Sequence, residues 1–251
     1  MLPQKILSLQ HSFVKHWKKL CTEKKYREAQ GTIILFGEKM VVEAAALYPI
    51  KRLLISKSPL PNIPALESYI VSREIFKKIS GMKNPELIAA EIAIPTPTHL
   101  YDKKCLLALD RVTDPGNLGT LIRSAWAFGV DGILLLPGCV DIFNDKALRA
   151  AKGASLHMPF QYIQESDFSL FGEKKFTIYI GDIEGDDFTT IAYRSPYILL
   201  LGNEGQGISK AFMNIGKKIT IPMRNSTNSL NVSIAGSLLL YHMRYSSFKT
   251  S

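Results

Sequence analysis

A short apolar run that breaks into a glycine-rich turn decides the fold of this 251-residue chain. Residues 197–201 read YILLL, and residues 202–207 read GNEGQG. Five apolar residues are too few for a helix and predict a fully buried strand. The three glycines that follow allow a sharp turn and a close approach of the backbone to a ligand. Glu204 lies at the mouth of this turn, where either a structural hydrogen bond or a chemical role would suit it.

A second strand and a second polar loop follow this turn. Ser209 can cap a short helix that runs to residue 215, and residues 218–221 predict another buried strand. A polar loop, residues 224–229, then leads into a long helix over residues 230–245. Two strands therefore end in polar loops at one edge of a sheet, which is where ligands bind in open α/β sheets.

Strands and helices alternate along the rest of the chain. Further strands are predicted at residues 32–36, 52–56, 69–71, 87–94, 106–109, 133–136, 160–163 and 176–180. Helices are predicted at residues 38–48, 72–80, 120–128 and 145–151. The repeated strand–helix–strand order after residue 105 predicts an α/β fold with a parallel sheet covered on both faces. The sequence PTPT at residues 95–98 indicates a boundary between a small α/β domain, residues 1–95, and a larger domain, residues 104–251.

The composition and the known motifs limit the classes of function. Hydrophobic residues make up 46% of the chain and charged residues 21%, as in soluble globular proteins, and no apolar run is long enough to span a membrane. Three cysteines without a CxxC pair favour a reducing, cytoplasmic location. The five histidines are scattered and predict no metal site. Neither a P-loop nor a dinucleotide-binding fingerprint is present.

Positive charge is concentrated at the start of the chain. The net charge is +9, and residues 1–30 hold seven Lys or Arg residues against two Glu. Phe13, Trp17 and Tyr26 lie among these basic residues. The segment fits a solvated amphipathic helix, and it equally fits a surface that follows RNA phosphates and offers rings for base stacking.

Three sequence blocks together resemble the SpoU (TrmH-type) branch of the SPOUT RNA methyltransferases. They are Asp110-x-Val112-x-Asp114-Pro115-x-Asn117-x-Gly119-x-x-x-Arg123-Ser124-Ala125-x-Ala127-Phe128-Gly129, Leu201-Gly202-x-Glu204-x-x-Gly207, and Ile221-Pro222-Met223 followed by Ser229-Leu230-Asn231-Val232-Ser233. Residues 36–44 also resemble, more loosely, the ribosomal-protein-like substrate-binding domain of this family. The chain departs from the family pattern at His242 and Tyr245, where Glu and Gln are frequent.

The resemblance implies transfer of a methyl group from S-adenosylmethionine to a ribose 2′-hydroxyl of RNA. It also implies a deep trefoil knot in the C-terminal domain, and a cofactor held by backbone groups around Gly202, Ile221 and Leu230. Residues 224–229 would form one wall of the cofactor pocket. Large-subunit ribosomal RNA is the expected substrate because of the two-domain layout. Transfer RNA is the alternative substrate, and a catalytically silent RNA-binding relative is the alternative class.

The family pattern also implies the catalytic residues. It assigns catalysis to Arg123, supported by Asn117, Glu204 and Asn231. A guanidinium stays protonated in proteins, so Arg123 is better suited to gripping the phosphate beside the target ribose than to acting as a base.

The final helix carries apolar residues on two nearly opposite sides. One stripe contains Val232, Ala235, Gly236, Leu239 and Met243, and the other contains Ile234, Leu238, Tyr241 and Tyr245. The first stripe suits packing on the sheet. The second stripe, together with the family resemblance, predicts a homodimer formed through this helix.

Overall fold

A computed structural model describes residues 3–56, 62–224 and 229–246. The chain divides into two compact units. The first unit contains Met1–Thr96 together with Phe143–Leu156, and the second contains Pro97–Ile142 together with His157–Ser251. Residues 143–156, which the sequence analysis placed in the second domain, thus belong to the first unit. The functions assigned to residues 1–95 and 104–251 stay a prediction.

The described part of the first unit is a five-stranded mixed sheet with helices. Its strands are β1 (Gln4–Ile6), β2 (Thr32–Phe36), β3 (Ile50–Ile55), β4 (Ala65–Val71) and β5 (Ile88–Ala93). Its first helices are α1 (Ser12–Thr22), α2 (Lys24–Gln30), α3 (Glu38–Leu47) and α4 (Arg73–Ser80). The strand order is β1-β4-β3-β5-β2, with β5 antiparallel to both of its neighbours. Ser72 and Gly81 cap α4 as its sequence predicts, because Ser72 accepts a backbone hydrogen bond and Gly81 is left-handed.

The basic N-terminal segment forms a strand and two helices, and part of it is buried. The ring of Trp17 is fully buried, and its Nε1 donates to Glu91 Oε2 over 3.1 Å. Arg27 is also buried, and its guanidinium donates to the Leu20 carbonyl. The prediction that Trp17 offers a ring for base stacking was therefore wrong. Its position on the apolar face of α1 places it in the core instead.

Glu91 is a buried carboxylate whose charge is compensated. Arg52 Nη1 donates to both of its oxygens over 3.0 Å, and His16 Nε2 lies 3.2 Å from Oε1. Burial alone would raise the pKa of Glu91, but the hydrogen bonds from His16 and Arg52 outweigh burial and hold it at about 2. These bonds tie α1 to the sheet of the first unit.

The described part of the second unit is built on a six-stranded parallel sheet. Its strands are β6 (Cys105–Leu109), β7 (Gly132–Leu135), β8 (Phe160–Tyr162), β9 (Thr177–Asp187), β10 (Tyr197–Leu201) and β11 (Lys217–Thr220). The remaining helices of the chain are α5 (Pro115–Ala127), α6 (Asp145–Ala151), α7 (Ala154–His157), α8 (Phe168–Glu173) and α9 (Val232–Ser246). The strand order is β11-β9-β10-β6-β7-β8, and every pairing is parallel. The predicted α/β fold with a parallel sheet is confirmed, whereas the knot stays a prediction.

Several elements differ from their predicted bounds near the carboxyl edge of this sheet. Helix α5 begins at Pro115 rather than Thr120, because the Asp114 carboxylate accepts a hydrogen bond from Asn117 N and proline suits the first helical position. The predicted helix after Ser209 is a single 3₁₀ turn, Lys210–Phe212. Within the predicted loop 224–229, residues 225–228 lie outside the described residues.

Candidate active site

A cavity of about 590 Å³ opens at the carboxyl edge of the second sheet. Its walls come from the end of β9, the glycine turn after β10, the residues that follow β11, and the start of α9. Gly202, Ile221 and Leu230, which were predicted to hold the cofactor, all line it. A cavity of this size suits a small-molecule ligand. The structure therefore brings the three residues together, and their contact with a cofactor stays a prediction.

The glycine turn has one well-defined conformation. Asn203 and Gly207 exchange two backbone hydrogen bonds, of 3.1 and 2.9 Å. The Asn203 side-chain oxygen accepts from the backbone N–H groups of Gly205 and Gln206. Gly202 is required where the turn folds back, since a Cβ there would lie 2.5 Å from the Gly207 carbonyl. The sharp turn that the sequence predicts is thus present and ordered by its own asparagine.

Three of the four predicted catalytic residues form a hydrogen-bonded chain, which we call the amide relay (Glu204, Asn117 and Asn231). Asn117 Nδ2 donates to Glu204 Oε1 over 2.7 Å. Asn231 Nδ2 donates to Asn117 Oδ1 over 3.0 Å. Asn231 Oδ1 in turn accepts from the backbone and hydroxyl of Ser233 at the start of α9. Each amide is held in one orientation, so the relay presents fixed donors and acceptors beside the cavity.

Arg123, the fourth predicted catalytic residue, is not joined to the amide relay. It lies exposed on α5 and is not among the residues that line the cavity. Within the described ranges, no hydrogen bond or ion pair engages its guanidinium. The group is available to bind an anion from solvent, such as an RNA phosphate.

An ion pair that the sequence analysis missed lies on the cavity wall. Lys218 Nζ contacts Asp182 Oδ2 at 2.9 Å, and both residues line the cavity. Burial alone would raise the pKa of Asp182, but the hydrogen bond and charge of Lys218, together with the backbone hydrogen bonds of Glu184 and Ile183, keep that pKa below its usual range. Gly181 and Gly185, both in β9, are the sequence signal that could have indicated this part of the wall. Glycine within a strand often marks a bulge, and the register between β9 and β11 shifts here.

Neither a metal centre nor a membrane span is found in the parts of the chain that are described. No group of three or more His, Cys, Asp or Glu side chains there could hold a metal ion. No helix there is long and apolar enough to cross a bilayer.

Comparison with known proteins identifies the family. Residues 104–241 match the model of the SpoU rRNA Methylase family, so the chain belongs to this family. Residues 11–90 match the MRM3-like substrate binding domain. The resemblance drawn from the three sequence blocks is therefore confirmed, as is a substrate-binding domain in the N-terminal half.

Individual relatives match over almost the whole chain. The chain is 33% identical over 253 residues to 23S rRNA (guanosine(2553)-2′-O)-methyltransferase RlmP of Bacillus subtilis, covering 96% of this chain and 99% of that protein. A solved structure of an AdoMet-bound rRNA methyltransferase from Sinorhizobium meliloti is 28% identical, with a TM-score of 0.85 and coverage of 96% and 97%. SpoU methyltransferase AviRb from Streptomyces viridochromogenes, 22% identical, shares the fold with a TM-score of 0.86 over 96% of this chain and 100% of AviRb.

Proposed function

We propose that this protein transfers a methyl group from S-adenosylmethionine to a ribose 2′-hydroxyl of large-subunit ribosomal RNA. The observation that carries the proposal is the amide relay at the mouth of a cavity lined by Gly202, Ile221 and Leu230. The predicted enzyme class and cofactor are confirmed by the family match and by relatives named for 2′-O-methylation and for bound AdoMet. Ribosomal rather than transfer RNA is favoured because a relative that matches over 96% of this chain and 99% of its own length is named as a 23S rRNA methyltransferase.

The residues of the cavity fit the cofactor, which supplies a methyl group on a positively charged sulfur. Gly202, Ile221 and Leu230, which all line the cavity, would hold it, and Met223 and Ser229 line the cavity beside them. The glycine turn excludes a side chain at the point where the backbone approaches. We extend the family's trefoil knot to this domain as part of the proposal, since the cavity walls come from the segments that such a knot joins.

In the proposed mechanism, catalysis depends on positioning the ribose 2′-hydroxyl and on compensating the negative charge of the neighbouring phosphate. Holding two reactants in the productive geometry can lower a barrier by about 7–11 kcal/mol. Arg123 grips the phosphate beside the target ribose with its forked donors, and Asn117 and Glu204 orient the nucleotide. The ribose oxygen forms a bond to the methyl carbon while the carbon–sulfur bond breaks, and the adjacent RNA phosphate takes the hydroxyl proton. Arg123 stays protonated throughout.

The function is tested with purified protein, S-adenosylmethionine carrying a labelled methyl group, and either large-subunit rRNA or bulk tRNA. Digestion to nucleosides and mass spectrometry should find label in a 2′-O-methylnucleoside from rRNA. Label found only in tRNA would identify transfer RNA, the alternative, as the substrate. Label on a base would contradict methylation of the ribose. Cofactor binding without transfer to either RNA would support the silent relative, provided that precursor ribosomal particles are also tested as substrates.

A homodimer through α9 is part of the proposal. The stripe predicted to face the sheet is mostly buried, whereas Ile234, Leu238, Tyr241 and Tyr245 are 53%, 45%, 55% and 45% exposed. Helix α9 packs on α5 beside this exposed stripe, with Ser124 and Ser237 hydrogen-bonded between the two helices. Four large apolar side chains on one helix face suit a partner of the same shape, a second copy of this helix. Arg123 on α5 would then lie near the interface.

Breaking this stripe should give an inactive monomer. Leu238→Glu combined with Tyr241→Glu places two charges on a face that we expect to lose water on dimerisation. Analytical ultracentrifugation at micromolar concentration should show a dimer for the wild type and a monomer for the variant. The matched control, Tyr162→Glu with Leu170→Glu, alters two apolar residues of similar exposure elsewhere and should stay dimeric. A monomeric wild type would contradict the proposal.

RNA capture should depend on the basic N-terminal segment. Lys19, Lys24 and Lys25 are exposed and Lys18 is half-buried. Replacing all four with Gln should weaken rRNA binding and flatten its salt dependence, because each phosphate contact contributes about 0.7–0.9 to the slope of log affinity against log salt. The control replaces four exposed lysines elsewhere, Lys77, Lys83, Lys210 and Lys217. Equal slopes of log affinity against log salt for the two variants would show that the N-terminal segment is an ordinary solvated surface.

We place the protein in the cytoplasm. Its three cysteines, Cys21, Cys105 and Cys139, are free, which is the usual state in a reducing compartment. Burial raises the pKa of the Cys139 thiol to about 11 and also raises that of Cys105, so neither is a ready thiolate nucleophile.

A further inference from the structure

Arg111 joins the segment before α5 to the glycine turn of the cavity. Its Nη1 donates to Gln206 Oε1 over 3.0 Å, and its Nη2 donates to the Gly207 carbonyl over 3.3 Å. Its own carbonyl accepts from Asn203 Nδ2 over 2.9 Å. A single residue therefore contacts both ends and one central side chain of the turn. Gln206 and Gly207 are thus held from outside the turn, in addition to the bonds that Asn203 makes within it.

A buried carboxylate fixes the direction of the guanidinium. Asp110 is 3% exposed, and its two oxygens accept from Arg111 Nε over 3.1 Å and Nη2 over 3.3 Å. Asp110 Oδ2 also accepts from the Ser209 backbone N–H over 2.7 Å. The Asp110–Arg111 pair thus holds the chain on both sides of Gly207. Because Asp110 has little solvent around it, the pair is a fixed brace rather than a mobile surface contact.

The backbone at Arg111 is held in an unfavourable conformation. Its φ is 56°, in the left-handed region that residues with a Cβ rarely adopt. Gly138 leaves room for the side chain, since a Cβ there would lie 2.8 Å from Arg111 Cγ. A strained backbone of this kind is retained only where the surrounding contacts fix the conformation, and such strain is frequent at ligand sites.

The same turn is tied at a second point, and both ties come from one segment of chain. Arg111 holds Gln206 and Gly207, and six residues later Asn117 holds Glu204. Residues 202–208 line the cavity, and Glu204 belongs to the amide relay. The segment that contains Arg111 and Asn117 therefore holds the turn both at the cavity wall and at Glu204.

We propose that Arg111 is a positioning residue that preorganises the cavity wall for S-adenosylmethionine and at the same time places Glu204 for the amide relay. This inference rests on the proposed function. A wall that is already ordered binds its ligand without a further entropy cost of ordering, so losing the brace should weaken cofactor binding. It should also slow methyl transfer when cofactor is saturating, because Glu204 loses its fixed position. A residue that served stability alone would affect neither quantity in a folded variant.

The test compares Arg111→Gly, Arg111→Lys and Gln206→Ala with the wild type. Glycine relieves the left-handed backbone but leaves the buried Asp110 carboxylate without its guanidinium, so circular dichroism must first show that Arg111→Gly is folded at the assay temperature. Gln206→Ala leaves the Asp110–Arg111 pair intact and tests the contact to the turn separately. Calorimetry with S-adenosylmethionine should show a dissociation constant raised about tenfold or more, as expected for loss of charge-assisted hydrogen bonds. Single-turnover methylation at saturating cofactor should fall several-fold. Arg111→Lys keeps the charge without the fork and should rescue only part of the loss.

A double-mutant cycle separates the brace from general effects. Arg111→Gly and Gln206→Ala remove two ends of one contact, so their combined effect on the dissociation constant should be smaller than the product of the single effects. The control, Arg194→Ala, removes an exposed arginine of the same unit that lines neither the cavity nor the turn. Wild-type affinity and turnover in folded Arg111→Gly or Arg111→Lys would overturn the inference. A wild type that does not bind S-adenosylmethionine would instead overturn the proposed function.

Discussion

Replacing Arg123 with alanine should lower methyl transfer by roughly 10²–10³-fold, the range found when one transition-state hydrogen-bond donor is removed. Affinity for S-adenosylmethionine should stay within about twofold of the wild type, because Arg123 does not line the cavity. The physical reason is that the guanidinium, exposed and without an ion pair to any described residue, is assigned to the RNA phosphate. Single-turnover assays with saturating cofactor and calorimetry on the same protein measure the two quantities.

Two further variants sharpen this prediction. Arg123→Lys keeps the positive charge but loses the forked geometry, so it should retain only part of the activity. Arg194→Ala removes an exposed arginine elsewhere in the second unit and should behave as the wild type. Methyl transfer by Arg123→Ala within a few fold of the wild type would refute the catalytic assignment.

Leu230→Arg should abolish cofactor binding. Leu230 is half-buried and lines the cavity just before α9, so an arginine there places a charged chain against an apolar wall and fills the space. Calorimetry should detect no binding at cofactor concentrations that saturate the wild type. Leu230→Met, which keeps the volume and the apolar character, serves as the control and should bind nearly as well. Unchanged affinity in Leu230→Arg would place the cofactor elsewhere.

The sequence was most informative where a local pattern determines the structure. The run YILLL is buried throughout as β10, and its short length favoured a strand over a helix. The start of α5 could also have been predicted, because Asp114 followed by Pro115 is a strong signal for the start of a helix. These residues were instead interpreted as part of a loop. The hydrogen-bond partner of Trp17 could not be predicted, because Glu91 lies 74 residues away.

In the candidate site, too, some features could be predicted from the sequence and others could not. Glu204, Asn117 and Asn231 were identified by resemblance, and the hydrogen bonds that join them were not, because they connect three distant segments. Asp182, Lys218 and Arg111 were missed for a physical reason: each acquires its role from a partner brought close by the folded sheet. Residues 143–156 cluster with the first unit, which the sequence did not indicate, because no local propensity records which sheet a helix packs on.

The amide relay also bears on the order in which the proposed active site is assembled. Its two hydrogen bonds close loops of 87 and 114 residues, and the second depends on Asn231 at the start of the last helix. Contacts of such long sequence separation form late in folding, after the entropy of loop closure has been overcome. A chain that lacks Asn231 cannot complete the relay, whatever part of the sheet it forms. We therefore expect a variant truncated before Asn231 to show no methyl transfer.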